Sequence, residues 1–204
     1  MKRHVLAVAV VVLVGAGLVL QAGSGTATDK EATLKHLEES RAALVAATKG
    51  LSAAQWDFRE APERWSAAEI VEHLAASEDL LFNLVTEQVM KTEKMAEPLP
   101  NVEESDKQVV AFLTDRSQKF QAPEPLRPTN RFETPEKAME HFLESRARTI
   151  EYLKATPDLR LYALEGPGGA KRDAQQWLLF ISGHTVRHTL QMNEVKAHAE
   201  FPKE

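Results

Sequence analysis

Apolar residues recur at steps of three and four along nearly the whole chain after residue 28, and that period predicts helices. Thr28-Asp29-Lys30-Glu31 reads as a capping box opening a helix over about 29–49. Leu34, Leu37, Leu44 and Val45 supply its buried face, His36 points to solvent, and Gly50 ends it as a left-handed cap. Residues 51–64 form a connection whose Trp56 and Phe58 pack back on the body. Ser66-Ala67-Ala68-Glu69 is a second capping box, and the helix it opens runs from Ala67 to about Lys91. Ile70, His73, Leu74, Ser77, Leu81 and Leu84 make its inward stripe. A loop with Pro98 and Pro100 leads to a shorter amphipathic segment over about 103–119, carrying Val109, Val110, Phe112, Leu113 and Phe120. The proline-rich stretch 122–128 is not helical throughout. Thr134-Pro135 starts another helix, with Ala138, Phe142, Ile150 and Leu153 inward, ending before Pro157. Gly166-Pro167-Gly168-Gly169 is a turn cluster, and Asp173 caps a last helix reaching about Ala197. Four long helices and a shorter one predict an all-α four-helix bundle with an extra short helix, one domain over 28–204.

The N-terminus breaks this pattern. Met1-Lys2-Arg3-His4 is basic, Val5 to Leu20 is continuously apolar, and small residues follow to Gly25-Thr26-Ala27. This is the layout of a secretory signal peptide over 1–27, with export to the periplasm or medium as its consequence. The apolar run is short for a bilayer span, which takes about 20 residues. An uncleaved anchor in these residues is the alternative, and the sole route to a membrane.

Composition narrows the chemistry. Of 204 residues, 25 are Lys or Arg and 30 are Asp or Glu, giving a formal charge of −5 with no basic patch, so nucleic acid is not an expected partner. With no cysteine, thiolate zinc sites, iron–sulfur clusters and nucleophilic thiols are excluded. A homodimer stays open, without a decisive apolar stripe to carry it.

The last helix holds the candidate chemistry. Trp177, Ile181, His184, His188, Gln191 and Val195 share one face, apolar at both ends, with two imidazoles about 6 Å apart along the axis in its middle. The pattern His-x-x-x-His lacks the glutamate that supplies the base in zinc proteases. A third inward histidine, His73, comes from another helix. Three neutral imidazoles on facing helices are a ligand set for one divalent ion: zinc, nickel, iron or manganese. Taken singly, each has a plainer reading. An inward histidine can be a hydrogen-bonded core residue, His-x-x-x-His can be incidental, and His141 among glutamates reads as surface.

The same residues resemble a family. Trp65-Ser66-Ala67-Ala68-Glu69-Ile70-Val71-Glu72-His73-Leu74, with Glu78 beyond, is similar to the first signature of the DinB-like superfamily. His184-x-x-x-His188-x-x-Gln191, after a Trp-containing apolar turn and before Phe201-Pro202, is similar to the second. The resemblance implies a four-helix bundle and places the three metal-binding histidines at His73, His184 and His188. It sets Gln191 beside the site, in a water-orienting or ligand-orienting role. It implies metal-dependent hydrolysis or thiol-linked group transfer on a small-molecule substrate, and the export signal counts against the latter because such thiols are mainly cytosolic. Glu72, Glu78 and Glu194 are the candidate general bases by nearness in sequence. A non-catalytic metal-binding or helical interaction protein of the cell envelope is the alternative.

Overall fold

In the computed structural model, residues 27–166 and 169–203 are described; the signal peptide expected over 1–27, apart from Ala27, lies outside them. Six α-helices carry the fold: α1 (Ala27–Thr48), α2 (Ala53–Asp57), α3 (Ala67–Glu87), α4 (Val102–Thr114), α5 (Pro135–Ala155) and α6 (Ala174–Lys196). The long ones form a ring in which α1 packs on α6 and α5, and α3 packs on α5 and α6. Helix α4 lies outside the ring against α6.

The core of the ring is apolar at both ends and polar at its waist. One cluster gathers Leu37, Leu81, Ile150, Leu153, Leu178 and Ile181. The other gathers Leu44, Ile70, Leu74, Phe142 and Met192. Between them, one residue of each helix breaks the stripe: Ser40, Glu78, Arg146 and Thr185, all buried. The Arg146 guanidinium donates to both Glu78 oxygens (2.5 and 3.2 Å), to Ser40 Oγ (2.7 Å), to the Leu37 carbonyl (2.8 Å) and to Thr185 Oγ1 (2.7 Å). All five of its N–H groups are therefore spent, and one side chain ties together the four helices of the ring.

Four local readings of the sequence change. Helix α1 is already helical at Thr28, so that residue does not cap it; Asp29 instead accepts from Arg160 (2.6 and 2.9 Å). The connection after Gly50 contains α2, because Ser52 and Gln55 build a full capping box that seats Trp56 in the core. Helix α4 stops at Thr114 rather than near 119. Arg187 takes the carbonyls of Leu113 (3.2 Å), Asp115 and Gln118, which draws the following residues into a loop, and Phe112 and Phe120 remain exposed. The glycine cluster joins two three-residue strands, β1 (Ala163–Glu165) and β2 (Lys171–Asp173), paired antiparallel with Ala163 opposite Asp173. The hairpin delivers Asp173, whose side chain accepts the Gln176 N–H (2.8 Å) and starts α6. Among the described residues, no helix is long and apolar enough to cross a membrane.

Candidate metal centre

Helix starts set the phase of the site. The Ser66–Glu69 capping box fixes the first turn of α3, and His73 stands two turns on, on the face turned to α6. Helix α6 presents His184 and His188. The crossing with α4 is tight there, since a Cβ on Gly183 would stand 2.8 Å from Leu113 Cδ1. His73 and His184 meet with their Nε2 atoms 3.2 Å apart, and the facing nitrogens of all three histidines lie within 4.8 Å of one another.

Two of these rings have their tautomer fixed from behind. The Nδ1–H of His73 donates to the Leu126 carbonyl (2.9 Å), which can only accept. The Nδ1 of His188 donates to Gln191 Oε1 (2.9 Å). In both rings the lone pair is left on Nε2, the nitrogen turned into the cluster. The Trp65 ring lies over His73 at 4.8 Å and His188 at 6.1 Å and walls one side. Burial lowers the pKa of all three: His73 below its ordinary value, His188 to about 3, and His184 well below, with the neighbouring imidazoles adding to the last two. The cluster is therefore neutral at pH 7, the state that ligates metal. Two ligands of one ion at about 2.0–2.1 Å stand about 2.8–3.4 Å apart, from octahedral to tetrahedral geometry, a range that contains the 3.2 Å pair.

The carboxylates considered as bases are occupied elsewhere. Glu78 is the buried partner of Arg146. Glu194 accepts two bonds from Arg116 (2.6 and 2.7 Å), which holds it below the usual range. Glu72 faces away from the cluster and accepts the backbone N–H groups of Thr129 (2.6 Å), Asn130 (2.9 Å) and Arg131 (3.2 Å). Burial raises its pKa, but these bonds outweigh it and the net shift is downward. Its role is positional: it anchors the loop whose earlier residue, Leu126, orients His73. His141, read as surface, is half-buried and paired to Asp79 (2.6 Å).

The cluster opens on a cavity of about 1230 Å³ between α3, α4, α6 and the loop 119–128. Its carboxylates are Glu63 and Glu69, and Glu69 is held by Ser66 N–H and Arg59. The profile of the DinB superfamily matches residues 36–192, a span that contains all three histidines and Gln191. The chain belongs to the DinB superfamily. Within it, the chain is similar to the uncharacterized protein YuaE of Bacillus subtilis, 27% identical over 155 residues that make up 74% of this chain and 90% of YuaE. In fold it is similar to YfiT of the same organism, with a TM-score of 0.52 over 84% of this chain and 87% of that one, at 16% identity. YfiT is described as a probable metal-dependent hydrolase with an unusual four-helix bundle topology.

Sequence inspection missed two contributors to this DinB site. Trp65 stood in the quoted motif without a role, though an aromatic just before a helix cap is placed to reach its second turn. The Leu126 carbonyl carries no side-chain signal. Arg146, the hub of the waist beside the site, was legible as a charged residue inside the stripe Phe142–Ile150–Leu153.

Proposed function

We propose that His73, His184 and His188 hold one divalent metal ion and that the protein is a metal-dependent hydrolase or group transferase acting on a small molecule outside the cytoplasm. The observation that carries this reading is the convergence of neutral imidazole nitrogens, two with their protons engaged on the opposite side. Zinc, nickel, iron and manganese all accept such a set. When bound, the ion supplies Lewis-acid polarisation of a substrate oxygen. The chain's own residues orient and enclose. Gln191 and the Leu126 carbonyl fix two rings, and Trp65 covers them. No side-chain base is assigned, since Glu72, Glu78 and Glu194 have other partners. The description of YfiT supports the hydrolytic half of the reading. The basic start and apolar run of residues 1–20 support export.

The test is metal content by elemental mass spectrometry, on the wild type and a His184→Ala/His188→Ala variant. About one equivalent in the wild type and none in the variant is expected. A wild type that stays empty after incubation with each of the four ions overturns the proposal.

A further inference from the structure

The cavity beside the histidines is far larger than one metal ion needs, and it is polarised. At the histidine end stand Arg64, Lys119, Arg127 and Arg187. Arg127 follows the residue that orients His73, and Arg187 precedes His188. The Arg187 guanidinium is engaged with three carbonyls and lies 5.1 Å from the Phe120 ring. Arg64 is paired with Glu60 (2.5 Å). Arg127 donates to the Ala122 carbonyl (3.2 Å) and keeps its charge exposed. Lys119 is exposed and makes no hydrogen bond or ion pair with the described residues.

The other end is apolar. Leu84 lies eleven residues beyond His73 on α3, about 16 Å along the axis. Trp177 and Phe180 precede His184 on α6, which runs the opposite way, so they line the same end. Phe112 closes the side from α4. Among the described residues, the exposed large apolar side chains are Val45, Leu80, Phe112, Phe120 and Leu190, and three of them line this cavity. Large apolar side chains gathered on one concave wall and left open to solvent mark a ligand surface.

We infer that the ligand of this site is a fatty-acyl carboxylate or its ester, with the head group at the histidine and cation end and the alkyl chain laid along α3 towards Leu84 and Trp177. The assignment rests on the metal reading above for the chemistry, because three neutral ligands leave the charge of a divalent ion uncompensated and favour an anionic or ester oxygen there. The chain's overall formal charge is −5, so attraction of a carboxylate has to be local, from the ion and from this group of cations.

The experiment uses the zinc-treated full chain and a series of saturated carboxylates from hexanoate to tetradecanoate, each below its micelle concentration. Binding is followed by calorimetry and by tryptophan fluorescence, since Trp65 and Trp177 both line the cavity. Affinity should rise about fourfold per added methylene, the equivalent of about 0.8 kcal/mol, and level off once the chain outgrows the cavity. Phe112→Asp alters an exposed position and should keep the helical circular dichroism. It should weaken tetradecanoate more than tenfold and leave hexanoate within a few-fold. A carboxylate should bind more than tenfold tighter than the alcohol of equal length, and Lys119→Glu/Arg127→Glu should narrow that gap severalfold. Affinity independent of chain length, a slope untouched by Phe112→Asp, or equal binding of acid and alcohol overturns the inference. The His184→Ala/His188→Ala variant should lose metal yet keep the chain-length slope, so a failed metal reading and a failed ligand assignment give different results.

Discussion

Two groups of polar side chains lie within one helical turn of each other in this bundle, and they are finished to different degrees. Thr185 belongs to the Arg146 network and His184, its neighbour, to the histidine cluster. At the waist every donor of Arg146 meets an acceptor, and Glu78, Ser40 and Thr185 are closed off by it. Such a network orders four helices and leaves nothing to offer a ligand. Two of the histidines, His73 and His188, satisfy their outer nitrogens through Leu126 and Gln191, and the cluster turns its inner nitrogens towards each other and a cavity. Burial of polar groups is thus no sign of a site by itself. What separates the two is whether capacity remains after the protein has made its bonds.

The sharpest way to break the contrast is at the waist. Arg146→Met should cost about 3–5 kcal/mol in urea unfolding, because Glu78 is left buried without its counter-charge. Adding Glu78→Leu should recover much of that loss, whereas a full loss in the double variant would show that the pair is more than a buried ion pair. At the cluster, removal of a supporting group should act on metal rather than on folding. Gln191→Ala should weaken metal affinity about 10–100-fold, read by chelator competition, with unfolding little changed.

Acidity separates the two groups further. In chelator-treated protein the three histidines titrate below the unfolded value near 6.5, His188 at about 3. Their stability contribution is complete above about pH 6.5 and is lost as pH falls towards 3, since the unfolded chain takes up protons that the folded one refuses. Each imidazole steepens the fall by at most about 1.4 kcal/mol per pH unit. Melting temperatures from pH 8 to 4 should therefore drop less steeply in His184→Ala/His188→Ala than in the wild type; parallel curves would contradict the burial of these rings. The smallest effect belongs to Glu72→Gln. It should cost about 1 kcal/mol through weaker bonds to Thr129, Asn130 and Arg131, and should loosen metal binding several-fold by freeing the loop behind His73.

Helix phase was readable in the chain because it rests on period and caps. Ser66–Glu69, Thr134-Pro135 and Asp173 each mark a helix start in the structure. The facing of His73 towards His184 and His188 followed from those phases and from the family signatures. Three things were illegible for physical reasons. Strands of three residues are too short for alternation to register. The early end of α4 depends on Arg187, which is distant in sequence and remakes backbone bonds that local propensity would spend on another helical turn. The acids failed as bases because nearness in sequence says nothing of partners: Glu72 and His73 are adjacent on α3, about 100° apart round its axis, and Glu72 spends its carboxylate on the backbone of residues 129–131.

The orienting acceptor of His73 is a main-chain oxygen. Every amino acid carries that oxygen, so the exposed neighbours of Leu126 can exchange side chains while the same acceptor still aims the imidazole. The loop that lines the cavity wall is in this sense free to drift, while the chemistry it supports stays fixed. Relatives could acquire different ligands through residues 119–128 alone, one wall at a time, with the histidines and the waist of the bundle inherited intact.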